Sequence, residues 1–206
     1  MVLRPALSLV VTLGLASCEA GGKKAVPRPS APASARAAME PSIYDLDLRL
    51  IDQDGRSLVL ADLRGRVLVA AMVYSSCKSV CPRVTEDMKG IERQLGGADR
   101  NRVRFVLFSL DPGRDTPAAL SRFAKEHDLD PSRWRLFAAS EDGVRDLAAV
   151  LGVKYKPDEG GQIAHSAMIF VIDREGMVRH RQVGLSQDPR DLIAALGDPP
   201  ANTKAP

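Results

Sequence analysis

Runs and periods of apolar side chains divide the chain into strand-like and helix-like segments. Val67 to Tyr74 is an unbroken apolar run, and so, but for Arg104 and Ser109, is Val103 to Leu110; short runs without alternation predict strands buried on both faces. Each leads into a stretch with helical spacing. After the first, a helix is predicted from about Val80 to Leu95, stopping at Gly96-Gly97. After the second, Asp115 or Thr116 can cap a helix that has Pro117 at its first position and Leu120, Phe123 and Ala124 on its apolar face. Trp134 to Ala138 reads as a short strand, and Ser140 caps a further helix over Gly143 to Leu151, with Val144, Leu147, Ala148 and Leu151 at helical spacing. Two hairpins are predicted: Leu46 to Ile51 with Ser57 to Leu60 around Asp54-Gly55, and Ala167 to Ile172 with Met177 to Gln182 across Asp173-Arg174-Glu175-Gly176. Pro189 to Leu196 closes the pattern as a helix. Strands alternating with helices, then a hairpin and a last helix, predict an α/β domain whose central mixed sheet is flanked by helices.

The two ends do not share this pattern. Residues 1–17 carry one arginine, Arg4, then a mostly apolar run from Ala6 to Ala16, and reach Cys18 through Leu15-Ala16-Ser17. A positive start, an apolar stretch of about 7 to 15 residues and small residues at the end describe an export signal too short for a confident membrane span. The Leu-Ala-Ser-Cys end resembles a bacterial lipobox, which makes Cys18 the expected lipid-bearing first residue of the mature chain; an ordinary cleavable signal and an uncleaved short anchor are the alternatives. Residues 18–42 are rich in Ala, Pro, Ser and Gly and hold few large apolar side chains, so they read as a semi-extended tether. Residues 198–206 read as a disordered tail, which leaves 43–197 as one domain of ordinary size. The formal net charge is +3 with both signs interleaved, and aromatics are 4% of the chain. With no basic stripe and no stacking platform, nucleic-acid binding is not expected.

Of the three cysteines, Cys18 belongs to the signal, and Cys77 and Cys81 remain as an even pair in an exported protein. They stand four residues apart in Cys77-Lys78-Ser79-Val80-Cys81-Pro82. At the opening of a helix this spacing puts both sulfurs on one face, and the Cα atoms would lie roughly 6 Å apart, within disulfide range. One pair can therefore exist as dithiol, disulfide or metal thiolate. His165, just before an apolar strand, supplies an imidazole. Two thiolates and an imidazole favour copper(I) or zinc over harder ions, and a closed structural zinc site would want a fourth ligand; three ligands suit copper(I), with an open side for handing the ion on. A bland alternative stands beside each part: a disulfide-only cysteine pair and a hydrogen-bonded loop histidine. His127 and His180 read as solvated, and Met72, Met168 and Met177 read as core.

The order of elements matches a thioredoxin-like fold with an N-terminal β-hairpin. In that architecture the loop after the first buried strand and the loop entering the terminal hairpin meet, which would make Cys77, Cys81 and His165 neighbours. From about Asp45 to Leu196 the chain resembles the Sco/SenC family of copper-binding proteins that assist cytochrome c oxidase assembly. The resemblance is carried by Cys77-x-x-x-Cys81-Pro82, by Asp111-Pro112-x-Arg114-Asp115-Thr116-Pro117, and by His165-Ser166 followed by Met168-Ile169-Phe170-Val171-Ile172-Asp173. It implies a lipid-anchored metallochaperone on the periplasmic face of a bacterial membrane, holding copper through Cys77, Cys81 and His165. The expected ion is copper(I), with copper(II) a second oxidation state open to the same ligands. The implied partners are oxidase subunit II and other periplasmic copper or thiol-redox proteins. Family members commonly carry Pro-Asp where this chain has Lys78-Ser79, and the lysine is expected to favour the thiolate form beside it.

Because metal delivery is binding, no catalytic residue is assigned. The rival from another class is an exported thiol-disulfide oxidoreductase using Cys77 and Cys81 as a redox disulfide. Against it stand the C-x-x-x-C spacing in place of C-x-x-C, and the lack of a proline immediately before the Ala167 strand. A peroxiredoxin fits less well, since Val73-Tyr74-Ser75-Ser76 lacks the Thr and Pro pattern of that family.

Overall fold

The computed structural model describes residues 41–197; the expected signal, Cys18, most of the tether and the tail lie outside them. The strands are β1 (Arg49–Asp52), β2 (Ser57–Val59), β3 (Val67–Val73), β4 (Val103–Ser109), β5 (Trp134–Ala138), β6 (Tyr155–Pro157), β7 (Ile163–His165), β8 (Met168–Ile172) and β9 (Val178–Val183). The α-helices are α1 (Val80–Gln94), α2 (Gly97–Arg102), α3 (Pro117–Glu126), α4 (Glu141–Leu151) and α5 (Arg190–Ala194). Seven strands form one sheet in the order β2-β1-β5-β4-β3-β8-β9, and β6 with β7 makes a separate two-stranded ribbon. β3, β4 and β5 are parallel neighbours, whereas β8 and β9 and the β1–β2 hairpin join antiparallel. This is the mixed-sheet, thioredoxin-like arrangement expected, N-terminal hairpin included.

Burial explains why the apolar runs became central strands. All seven residues of β3 are buried, so both faces of the sheet are covered there. Parallel pairing of β3 with β4 and of β4 with β5 requires long crossovers, which α1 and α3 supply. Phe105 stacks on Trp134 at 4.7 Å and Phe108 on Phe137 at 5.9 Å, and the Trp134 indole N–H donates to Glu92 of α1 at 2.9 Å. Helix starts follow the capping residues: Thr116 Oγ1 accepts from the Ala119 N–H and Ser140 Oγ from the Gly143 N–H. Thr116, not Asp115, is the cap of α3.

Four features were not foreseen: the β6–β7 ribbon, α2, and the 3-10 turns Ile43–Asp45 and Leu60–Leu63. All are short, and none carries enough periods to register as a pattern. His127, expected in solvent, is half-buried against the Phe123 ring at 4.3 Å, where burial pushes its pKa down.

The β8–β9 turn closes on Asp173, whose Oδ1 accepts from the N–H groups of Glu175 and Met177 at 3.0 and 2.8 Å. Gly176 lies in the left-handed region with φ +87°, and a Cβ there would run into Ser42 Oγ and the Tyr44 ring. Gly176→Ala should therefore cost about 2 kcal/mol or more in denaturant unfolding, combining the left-handed penalty with the clash. A loss under about half a kcal/mol would show that the turn and the 3-10 segment beneath it relax freely.

Candidate metal centre

The sheet brings three distant segments to one edge. β3 and β4 run parallel with Val73 opposite Ser109, so the loops 74–79 and 110–116 leave side by side from their carboxyl ends. β8 runs antiparallel to β3 with Ile169 opposite Ala71, which sets the start of β8, and His165 just before it, beside the end of β3. Open α/β sheets place ligands at the carboxyl ends of their parallel strands, because there the loops and helix N-termini converge.

Cys77 lies in the loop before α1, and Cys81 is the second residue of that helix. Both are free thiols and both are buried, at 5% and 0% exposure. The two Sγ atoms and one ring nitrogen of His165 all lie within 4.8 Å of one another. His165 Nε2 is 3.5 Å from Cys81 Sγ, and Nδ1 is 3.1 Å from the Ser166 carbonyl oxygen. A carbonyl only accepts, so Nδ1 carries the proton and Nε2 turns its lone pair toward the sulfurs, the tautomer a metal-ligating imidazole needs.

The three donors differ in their protonation. Burial raises the Cys77 thiol, but the N–H groups of Cys81 and Ser79 at the start of α1, together with the side chains of Cys81 and Tyr74, outweigh it and bring its pKa down to about 7; the Cys81 N–H stands 3.4 Å from Cys77 Sγ. A thiol at a helix N-terminus is the usual low-pKa cysteine. Cys81 goes the other way: burial pushes it up, the Tyr74 N–H at 3.5 Å offsetting only part, and the neighbouring Cys77 and Asp115 charges add to the rise. Burial also holds His165 below the usual imidazole range, so it is neutral at pH 7. Lys78, expected to favour the thiolate, is exposed; the groups that lower Cys77 most are the backbone N–H donors of Cys81 and Ser79, followed by the side chains of Cys81 and Tyr74.

A thiolate, a thiol that can lose its proton and a neutral imidazole make a soft donor set, and it fits copper(I). Only three such groups come together among the described residues, which leaves a fourth zinc ligand unfilled. Asp111, at the site edge, pairs with Arg114 and is not among them.

Two supporting residues escaped the sequence reading. Asp115 is 1% exposed, and its carboxylate accepts from the Ser75 N–H at 3.1 Å and from the hydroxyls of Ser75 and Ser109. It pins the cysteine loop to the end of β4. Tyr74 sets its ring edge-on to His165, centroids 5.9 Å apart, while its hydroxyl donates to Gln162 Oε1 and accepts from the Ile163 N–H, both at 3.2 Å. Asp115 stands within a motif and Tyr74 ends the first apolar run, but a polar side chain shows no partner until the fold supplies one.

Comparison with known proteins gives a consistent result. The SCO1/SenC family profile matches residues 36–198. A SCO1/SenC family lipoprotein from Bacillus anthracis is 29% identical, with a TM-score of 0.66 over 73% of this chain and 92% of that one. BsSco, described as a Sco-family cytochrome c oxidase assembly protein with a disulfide switch, is 25% identical, with a TM-score of 0.66 over 77% of this chain and 92% of that one. Copper-bound ScoI of Bradyrhizobium japonicum, 24% identical with a TM-score of 0.57 over 72% of this chain and 94% of that one, shares the fold. The chain spans 43 to 75% of the length of several curated relatives.

Proposed function

The chain belongs to the SCO1/SenC family, and we propose that it is a copper(I)-binding metallochaperone that serves the binuclear copper centre of cytochrome c oxidase subunit II. The observation that carries this reading is the convergence of Cys77, Cys81 and a correctly tautomerised His165 within 4.8 Å. The protein's own part is to hold copper(I) as cargo. Cys77 offers a thiolate near neutral pH, Cys81 gives up a proton on binding, and His165 adds a neutral donor. Burial of both sulfurs shields the site from water and competing thiols, while the partly exposed imidazole marks the side open to a partner.

A copper(I) titration of the reduced chain, followed by mixing with a metal-free oxidase copper domain, tests the reading. One copper(I) per chain and transfer to that domain are expected, and the disulfide form should take up little until reduced. Fast insulin reduction without copper transfer would move the assignment to the second reading, a thiol-disulfide oxidoreductase. That reading is favoured by the unequal thiols: Cys77 near pKa 7 would attack, and the raised Cys81 thiol would follow.

Among the described residues no helix is long and apolar enough to cross a membrane. The lipoprotein relative supports an exported, lipid-anchored form, with Cys18 as the acylated residue and the periplasmic face of the membrane as its location. Cys18→Ser should move the protein from the membrane to the soluble fraction or stall its processing. Mass spectrometry finding an unmodified mature terminus at another residue would remove the anchor.

A further inference from the structure

The ribbon that carries His165 is set apart from the sheet that carries the cysteines. β6 and β7 pair only with each other, and the backbone bonds of their turn, from the Asp158 N–H to the Gln162 carbonyl and from the Gly161 N–H to the Asp158 carbonyl, are internal. A cleft of about 420 Å³ runs beneath, with Tyr155, Gly161 and Ile163 on the ribbon side and Leu110, Arg114 and Val144 on the body side. Apart from the Cys81–His165 contact, three hydrogen bonds among the described residues tie ribbon 155–165 to the body: the two made by the Tyr74 hydroxyl and one from the Arg114 guanidinium to the Gly161 carbonyl oxygen. The same guanidinium is held from behind by Asp111. Gly161 suits this clasp, since it adopts φ +75° and a Cβ there would stand 3.0 Å from Arg114 Nη1.

We propose that Arg114 and Tyr74 are positioning residues that latch the β6–β7 ribbon to the body, so that His165 is held over Cys81 as the third copper(I) ligand. The proposal rests on the copper reading of the site. Cys77 and Cys81 stand on α1 and its entry loop, braced by Asp115, and keep their places whatever the ribbon does. Beside the apolar burial of Ile163, His165 depends on these two latches. Releasing them would leave a two-thiolate site, open on the side where a partner could insert its own ligand. The Asp111-Pro112-Gly113-Arg114-Asp115 segment would thus serve both halves of the site: Asp115 anchors the cysteine loop and Arg114 anchors the histidine ribbon.

The test combines copper(I) competition against a chromophoric chelator with amide hydrogen exchange of the metal-free, reduced full chain. Arg114→Met keeps the aliphatic stem and loses the donors, Tyr74→Phe keeps the ring and loses the hydroxyl, and Gly161→Ala attacks the same clasp from the ribbon side. Each should weaken copper(I) binding about tenfold, the usual cost of losing an outer partner of a ligand. Arg114→Met and Gly161→Ala, which touch neither cysteine, should add nothing to the loss already present in His165→Ala. Exchange across 155–165 should accelerate while β3 and β4 keep their protection. Equal losses in the wild-type and His165→Ala backgrounds, or unchanged exchange in 155–165, would overturn the latch. If the wild-type chain bound no copper(I), the metal reading would fall, and the exchange arm would still decide whether Arg114 and Tyr74 hold the ribbon.

Discussion

Replacing either Cys77 or Cys81 with serine should abolish tight copper(I) binding, with a larger effect than any other single change in the site. A serine hydroxyl is a hard donor that stays protonated at neutral pH, so the substitution removes a thiolate and leaves one soft sulfur with an imidazole. The loss should exceed the roughly 10- to 100-fold that removal of an outer partner costs. Competition titration against a copper(I) chelator measures it. His165→Ala should be milder, because both thiolates survive and the ribbon only loses its contribution. The fold should tolerate Cys77→Ser well, since the residue sits in a loop and its Sγ accepts the N–H groups of Cys81 and Ser79, a role an oxygen can take. Cys81→Ser is harsher on the fold, placing a hydroxyl at a site of 0% exposure. Unchanged stoichiometry and affinity in Cys77→Ser would sink the site assignment.

Copper(I) affinity should also climb steeply with pH. Ligands bind deprotonated, so each proton displaced on binding adds about tenfold per pH unit to the conditional affinity. His165 is held below its usual range by burial and is neutral at pH 7, so it contributes no proton there. Cys81, raised by burial, is a thiol throughout the physiological range and always loses one. Cys77, at about 7, is a thiolate above that pH and a thiol below it. Working the sign through, affinity rises with pH everywhere, at about tenfold per unit above pH 7 and about a hundredfold per unit below it. Titrations at several pH values between about 6 and 8 would show the change of slope. A slope that stayed at two protons up to pH 8 would place the Cys77 thiol at its ordinary pKa and remove the role of the α1 N-terminus, and an affinity independent of pH would show that binding displaces no thiol proton, against the raised Cys81.

Part of the site was legible because its signals are local. The spacing of Cys77 and Cys81 marks them as a pair, although only Cys81 lies on the helix and Cys77 stands in the loop before it, and the unbroken run Val67 to Tyr74 marks the strand that delivers them. Thr116 and Ser140 announced their helices through cap chemistry, and the Asp173–Gly176 turn through its residue types. The helix N–H groups that lower Cys77 most were not legible, since their effect depends on where α1 begins. The β6–β7 ribbon was missed because three-residue strands with burial patterns as broken as Tyr155–Pro157 carry no period to detect.

By itself the sequence determined the alternation of buried strands and capped helices and the soft donor types, two thiols and an imidazole, because propensity, period and donor chemistry are properties of neighbouring residues. Only the tertiary structure decided how those donor groups behave. The antiparallel register of β8 against β3 brings His165 to Cys81 across 84 positions of chain. Burial and one helix end split two identical thiols into a ready thiolate and a reluctant thiol, and the Ser166 carbonyl selects the imidazole tautomer. Asp115, read along the chain as a possible helix cap, became a buried anchor for Ser75. These outcomes depend on desolvation and on partners contributed by remote segments, and both arise only when the chain closes on itself.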